Sequence, residues 1–107
     1  MRDNQAITLG HQHTLRFMRW APDRALNPQY DHLPDVQQYG ALVEHQTTDG
    51  RPCTCVITFD GPVQRELAPN EARWQVQTWE PLTLTPSLVC PLCGDHGFIR
   101  DSTWIPA

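Results

Sequence analysis

Lysine is absent from this chain: all eight basic residues are arginine. A GC-rich coding source is the plain cause, and selection against amine modification is the sharper one. Also absent is any run near the ~20 consecutive apolar residues that cross a bilayer. The first twenty residues lack a basic segment followed by an apolar stretch, so they do not read as a secretory signal. The expectation is a soluble intracellular protein without membrane contact. In a reducing compartment its four cysteines are free or metal-bound rather than disulfide-bonded. Hydrophobic residues make up 39% and charged residues 19%, which limits the core to a modest size. The formal charge of −4 offers no global attraction to nucleic acid or to an anionic membrane. No internal repeat, low-complexity segment or catalytic constellation stands out.

What the chain does have is turn formers, with ten prolines and six glycines in 107 residues. They break it into short elements of one domain, 1–107, with 1–12 expected to be a flexible polar tail. The expected class is α+β: mainly antiparallel strands with short helical turns and long Pro-rich loops. His13 to Trp20 alternates as a strand, with Leu15, Phe17 and Arg19 on one face and Arg16, Met18 and Trp20 on the other. Tyr30, Leu33, Val36 and Tyr39 recur every three residues, and Pro34 and Gly40 bracket a helical turn there. Ala41–His45 and Cys53–Phe59 read as a hairpin whose turn carries Asp49-Gly50. Cys53, Cys55, Ile57 and Phe59 are assigned to its core face. A helical turn is expected over 63–68. Trp74, Val76 and Thr78 then alternate against Gln75, Gln77 and Trp79. Leu82-Thr83-Leu84, framed by Pro81 and Pro86, reads as a short edge piece.

The densest signal lies near the end. Cys90 and Cys93 stand two residues apart, with Pro91 between them and Gly94 after them. That suits a tight turn aiming both sulfurs at one point, as in a structural zinc site with four protein ligands. A zinc knuckle is therefore expected, followed by a hairpin of Phe98-Ile99 and Trp104-Ile105 around Asp101-Ser102. His96 is the candidate third ligand, and Asp95 could orient it as an acceptor. Cys53 is the preferred fourth, with Cys55 its competitor; His11, His13, His32 and His45 are further candidates. Residues i and i+2 of a strand lie ~6.6 Å apart, so Cys53 and Cys55 cannot both reach one ion without a bulge or strong twist. The expected cofactor is Zn2+ in a structural role, since the motif has no open ligand position and no Glu beside a His. Redox chemistry is disfavoured because Gly94-Asp95-His96-Gly97 makes a poor helix start.

Pro86-Ser87-Leu88, the run from Cys90 to Asp101, the Trp104-Ile105 ending, Leu15–Trp20, Asp49–Cys53 and Trp74–Pro81 together resemble a family of small proteins encoded mainly by actinobacterial phages. A related domain of unknown function occurs in bacterial operons with ubiquitin-like components. The resemblance covers most of the chain. It implies a phage or mobile-element origin, a metal knuckle and no assigned enzyme chemistry. It also implies residence in the host bacterial cytoplasm or the virion. Ser102-Thr103 stands where a Gly-containing turn is expected.

The function expected from all this is a non-enzymatic, zinc-stabilised binding module acting on a host or phage protein. The alternatives are a capsid or tail accessory component, a zinc-dependent enzyme using Cys90, Cys93 and His96, and a nucleic-acid binder. The last would use Arg16, Arg19 and Arg24 with Trp20, and the overall acidity counts against it. Nothing in the sequence bears on oligomeric state.

Overall fold

Alternating apolar side chains dictate most of the architecture seen in a computed structural model, which describes residues 6–107. Strands β1 (Ala6–Gly10), β2 (His13–Trp20), β3 (Val36–Gln46) and β4 (Pro52–Thr58) form a four-stranded sheet in that order. Strands β5 (Gln75–Trp79) and β6 (Leu82–Thr85) make a two-stranded ribbon. A three-stranded sheet follows, of β7 (Leu88–Val89), β8 (His96–Arg100) and β9 (Thr103–Pro106). Every strand pair is antiparallel. Among the described residues, helical structure is limited to α1 (Pro62–Leu67) and a 3-10 turn at Pro28–Tyr30. The molecule is thus mainly antiparallel β, as the alternation predicts, with little of the α component.

The inner face of the large sheet carries Leu9, Leu15, Phe17, Ala41, Val43, Cys55 and Ile57. Against it pack Leu82 and Leu84 of β6, Leu88 of β7, Ile99 of β8 and Trp104 of β9, closing one continuous core. Each such aliphatic side chain gains about 1.5–3 kcal/mol on burial. This packing brings the C-terminal sheet over the end of the β3–β4 hairpin.

Two expectations give way. Residues 6–10 are a strand rather than part of a tail; residues 1–5 of that expected tail lie outside the described ones. Ile7 pairs with Leu15, and Leu9 is buried in the core, so burial of an apolar alternation outweighs the polar flanks. The turn that reverses the chain uses His11 and Gln12 at positive φ (51° and 62°), residues that give no turn signal. The segment from Val36 to Tyr39 extends β3 instead of coiling. Gly40 does not stop a helix there: a Cβ on it would sit 2.2 Å from the Ile57 carbonyl, so only glycine lets β3 and β4 approach. The edge position expected of Leu82-Thr83-Leu84 is found, since β6 pairs on one side only, and Leu82 and Leu84 are nevertheless fully buried.

The final hairpin forms where expected, and its turn explains the missing glycine. Asp101 and Ser102 take φ of 51° and 55°. Ser102 Oγ accepts the Leu82 N–H at 2.8 Å, while its own N–H donates to the Leu82 carbonyl at 2.8 Å. Serine ties the turn to β6, which glycine cannot do with a side chain.

Candidate metal centre

Two hairpins converge on the site. In the β3–β4 ladder His45 lies directly opposite Cys53, and cross-strand partners place their Cβ atoms about 4.5–5.5 Å apart. Both project from the same face near the Asp49-Gly50 turn. Between β7 and β8, the chain from Cys90 to Asp95 folds into a turn closed by two backbone bonds. Gly94 N–H donates to the Cys90 carbonyl and Cys90 N–H to the Asp95 carbonyl, each at 2.8 Å.

The side-chain donor atoms of His45, Cys53, Cys90 and Cys93 lie within 4.8 Å of one another. Cys53 Sγ and Cys90 Sγ are 3.6 Å apart, far beyond the ~2.05 Å of a disulfide, and all four cysteines are free. A tetrahedron with metal–sulfur bonds of about 2.3 Å has a sulfur–sulfur edge near 3.8 Å, close to the separation seen. His45 Nδ1–H donates to the Val43 carbonyl at 3.1 Å. That leaves Nε2 with its lone pair facing Cys93 Sγ at 3.1 Å, the tautomer a metal ligand needs.

The three sulfurs are not equivalent. Burial opposes ionisation of Cys90, but the backbone N–H groups of Leu92 and Cys93 point at its sulfur and bring its pKa down to about 7. Burial first, then hydrogen bonding with Cys90 and Cys93 and their charge, pushes the Cys53 thiol up to about 12. Cys90 therefore ionises before Cys53, and it resists a second thiolate beside it. A divalent cation removes that conflict, because it lets neighbouring sulfurs ionise together.

Three of the four sequence candidates, Cys53, Cys90 and Cys93, are brought together. His96 is not: it is exposed on β8, with Nε2 hydrogen-bonded to Ser87 Oγ at 3.1 Å. Alternation is the reason, since Gly97 and Ile99 face inward and so turn His96 outward. His45 takes its place, a residue named only among several further histidines. Cys55 stays in the core, its thiol pushed up to about 11 by burial and by Cys90. His32 pairs with Glu66 at 2.9 Å on the surface. Cys93 is the exposed donor of the set, bordering a polar groove of about 310 Å3 that includes Thr47, Thr48 and Asp95.

Among the described residues a second cluster, His13, His45 and Asp95, adjoins the first. It makes a poor metal site. The two imidazoles are stacked 5.2 Å apart at 12°, so their in-plane lone pairs run side by side instead of converging. Both nitrogens of His13 are also taken. Nδ1 is hydrogen-bonded to the His11 carbonyl at 2.6 Å and Nε2 to Asp95 Oδ2 at 2.5 Å. Asp95 thus holds His13, not His96.

No family model, curated protein or solved structure matches this chain. Function has to be read from these residues themselves.

Proposed function

We propose that the chain is a non-enzymatic binding module whose C-terminal sheet is fastened by one structural zinc ion held by Cys53, Cys90, Cys93 and His45. One observation carries this: three sulfurs and an imidazole nitrogen, drawn from two hairpins, lie within 4.8 Å of one another. Thiolates with one imidazole favour zinc over magnesium or calcium, and Cys3His is a closed structural donor set. Four protein donors leave no ligand position for a substrate or water, which speaks for a structural rather than a catalytic ion. On this reading Cys90 to Gly94 is a zinc knuckle and β8–β9 its hairpin.

A protein partner, from a host or a phage, fits better than nucleic acid. Arg24 is committed to its own loop, donating to the Tyr30 and Leu33 carbonyls and to Asp35. Arg16 faces Glu44, and Trp20 packs against Tyr30 and Tyr39, so these side chains do not gather into an open basic patch. A phage or mobile-element origin and a place in the host cytoplasm belong to the same proposal; they rest on the resemblance of the Cys90–Asp101 run.

Elemental analysis of protein purified without added metal tests the site. One zinc per chain is expected, falling well below stoichiometric in Cys90→Ser. A metal-free wild type, or zinc content indifferent to Cys90→Ser, overturns the proposal.

A further inference from the structure

We propose that His13 and Asp95 form a clamp that positions the metal centre, one end holding the His45 ring and the other the cysteine turn. This rests on reading the four donors as a zinc site.

His13 is 6% exposed against a mainly apolar core. A buried imidazole is tolerated only when hydrogen-bonded, and both of its nitrogens are, to the His11 carbonyl and to Asp95. An apolar residue of the same volume would serve stability at least as well there. What an apolar residue cannot supply is a directional hold on Asp95. That residue sits two positions after Cys93, and its carbonyl accepts the Cys90 N–H. The bond from His13 therefore pins the turn that carries two of the four donors to β2, across 82 residues of sequence.

The other face of the imidazole is just as constrained. The Trp104 ring lies 4.0 Å from His13 at 10°, and His13 lies 5.2 Å from His45 at 12°. Rings from β9, β2 and β3 thus form one parallel column. Trp104 itself lies over Gly97, where a Cβ would come within 2.5 Å of the indole. The column sets the plane of His45, and the bond to the Val43 carbonyl sets its rotation. Together they aim Nε2 at the three sulfurs. His13 and Asp95 touch no metal; they act through His45 and Cys90.

Co2+ binding to the full chain tests the clamp, with wild type, His13→Phe and Asp95→Ala compared. His13→Phe keeps the ring column and loses the bond; Asp95→Ala loses the bond from the turn side. Both should bind Co2+ roughly 10–100-fold more weakly, the usual cost of losing a group that orients a ligand. Thermal unfolding of the metal-free proteins should meanwhile stay near wild type for His13→Phe. A merely structural role would shift that melt and leave the Co2+ affinity and the thiolate-to-cobalt absorption alone. If wild type binds no Co2+, the zinc site and the clamp fall together. If wild type binds and both variants bind within about twofold of it, well below the usual orienting effect, the clamp alone falls.

Discussion

The contrast between Cys53→Ser and Cys55→Ser is the sharpest test of the register that builds the site. The two residues share one face of β4, yet only Cys53 stands opposite His45; Cys55 stands opposite Val43. A structural zinc site of four ligands is worth about 10–16 kcal/mol at neutral pH, or roughly 2.5–4 kcal/mol per ligand if shared evenly. Cys53→Ser should therefore weaken metal binding about 10²–10³-fold, at about 1.4 kcal/mol per decade. Cys55 is 6% exposed and lies against Cys90. Its replacement keeps a donor toward that sulfur, so the affinity should change by no more than about tenfold. Its effect belongs in stability instead, about 1–3 kcal/mol for burying a hydroxyl. Competition titration with Co2+ reads both quantities: the dissociation constant gives the affinity, and the charge-transfer intensity counts three thiolates or two. Equal losses at the two positions, or the larger loss at Cys55, would refute the placement of His45 and Cys53 as a cross-strand pair of ligands.

Two further outcomes follow from features away from the metal. In the β8–β9 turn, Asp101→Gly keeps the backbone bonds and relieves a positive φ, so it should stabilise by about 0.5–1 kcal/mol. Ser102→Gly relieves a similar φ but strips the acceptor from the buried Leu82 N–H, a loss of about 1–3 kcal/mol, so it should lower the melting temperature. Opposite signs in thermal unfolding are the check. The second concerns Asp60, whose carboxylate accepts from Arg65 at 2.8 and 3.0 Å and from Arg73 at 3.1 Å. The Arg65 hydrogen bond above all, with Arg73 adding to it against the burial, holds its pKa below the ordinary 3.8. A carboxyl depressed on folding stabilises fully above its unfolded pKa and loses that contribution as pH falls through the folded value. Asp60→Asn should therefore be less stable than wild type at pH 7, with the gap closing below about pH 4. Parallel acid-unfolding curves for the two proteins would contradict this.

The strands were legible where one apolar alternation met one strong turn. The β3–β4 hairpin around Asp49-Gly50 has that form; His13–Trp20 and the closing hairpin are legible from alternation, and the cysteine turn from Pro91 and Gly94. The failures have physical causes as well. β1 is short, and its turn residues, His11 and Gln12, hold a left-handed backbone without glycine. Tyr30, Leu33, Val36 and Tyr39 have a three-residue apolar spacing that resembles a helix, but the pairing of Trp20 with Val36 and the close approach at Gly40 decide for a strand. His96 drew attention by proximity to Cys93. Yet strand alternation from Ile99 already turned it outward, and counting back from the Asp-Gly turn already paired His45 with Cys53. The contact between His13 and Asp95 spans 82 residues and had no local signal at all.

The placement of the donors explains how a loop-rich chain can hold its last sheet. β7 has two residues and β9 four, and small isolated ribbons of this size are marginal in water. Packing of Leu88, Ile99 and Trp104 against the large sheet supplies part of their stability. An ion joining Cys53 to Cys90 would also close a loop of 37 residues. By the chain-entropy estimate used for disulfides, such a closure removes about 4 kcal/mol of unfolded-state freedom. A disulfide would do the same only under oxidising conditions, whereas a metal held by thiolates persists in a reducing compartment. With donors split two and two between hairpins, an ion held there would fix how the sheets sit on each other as well as how tightly the chain is closed. Its removal should therefore be felt first in β7 to β9, while the β1–β4 ladder, which contributes two ligands but has its own four-stranded pairing, stays folded longest.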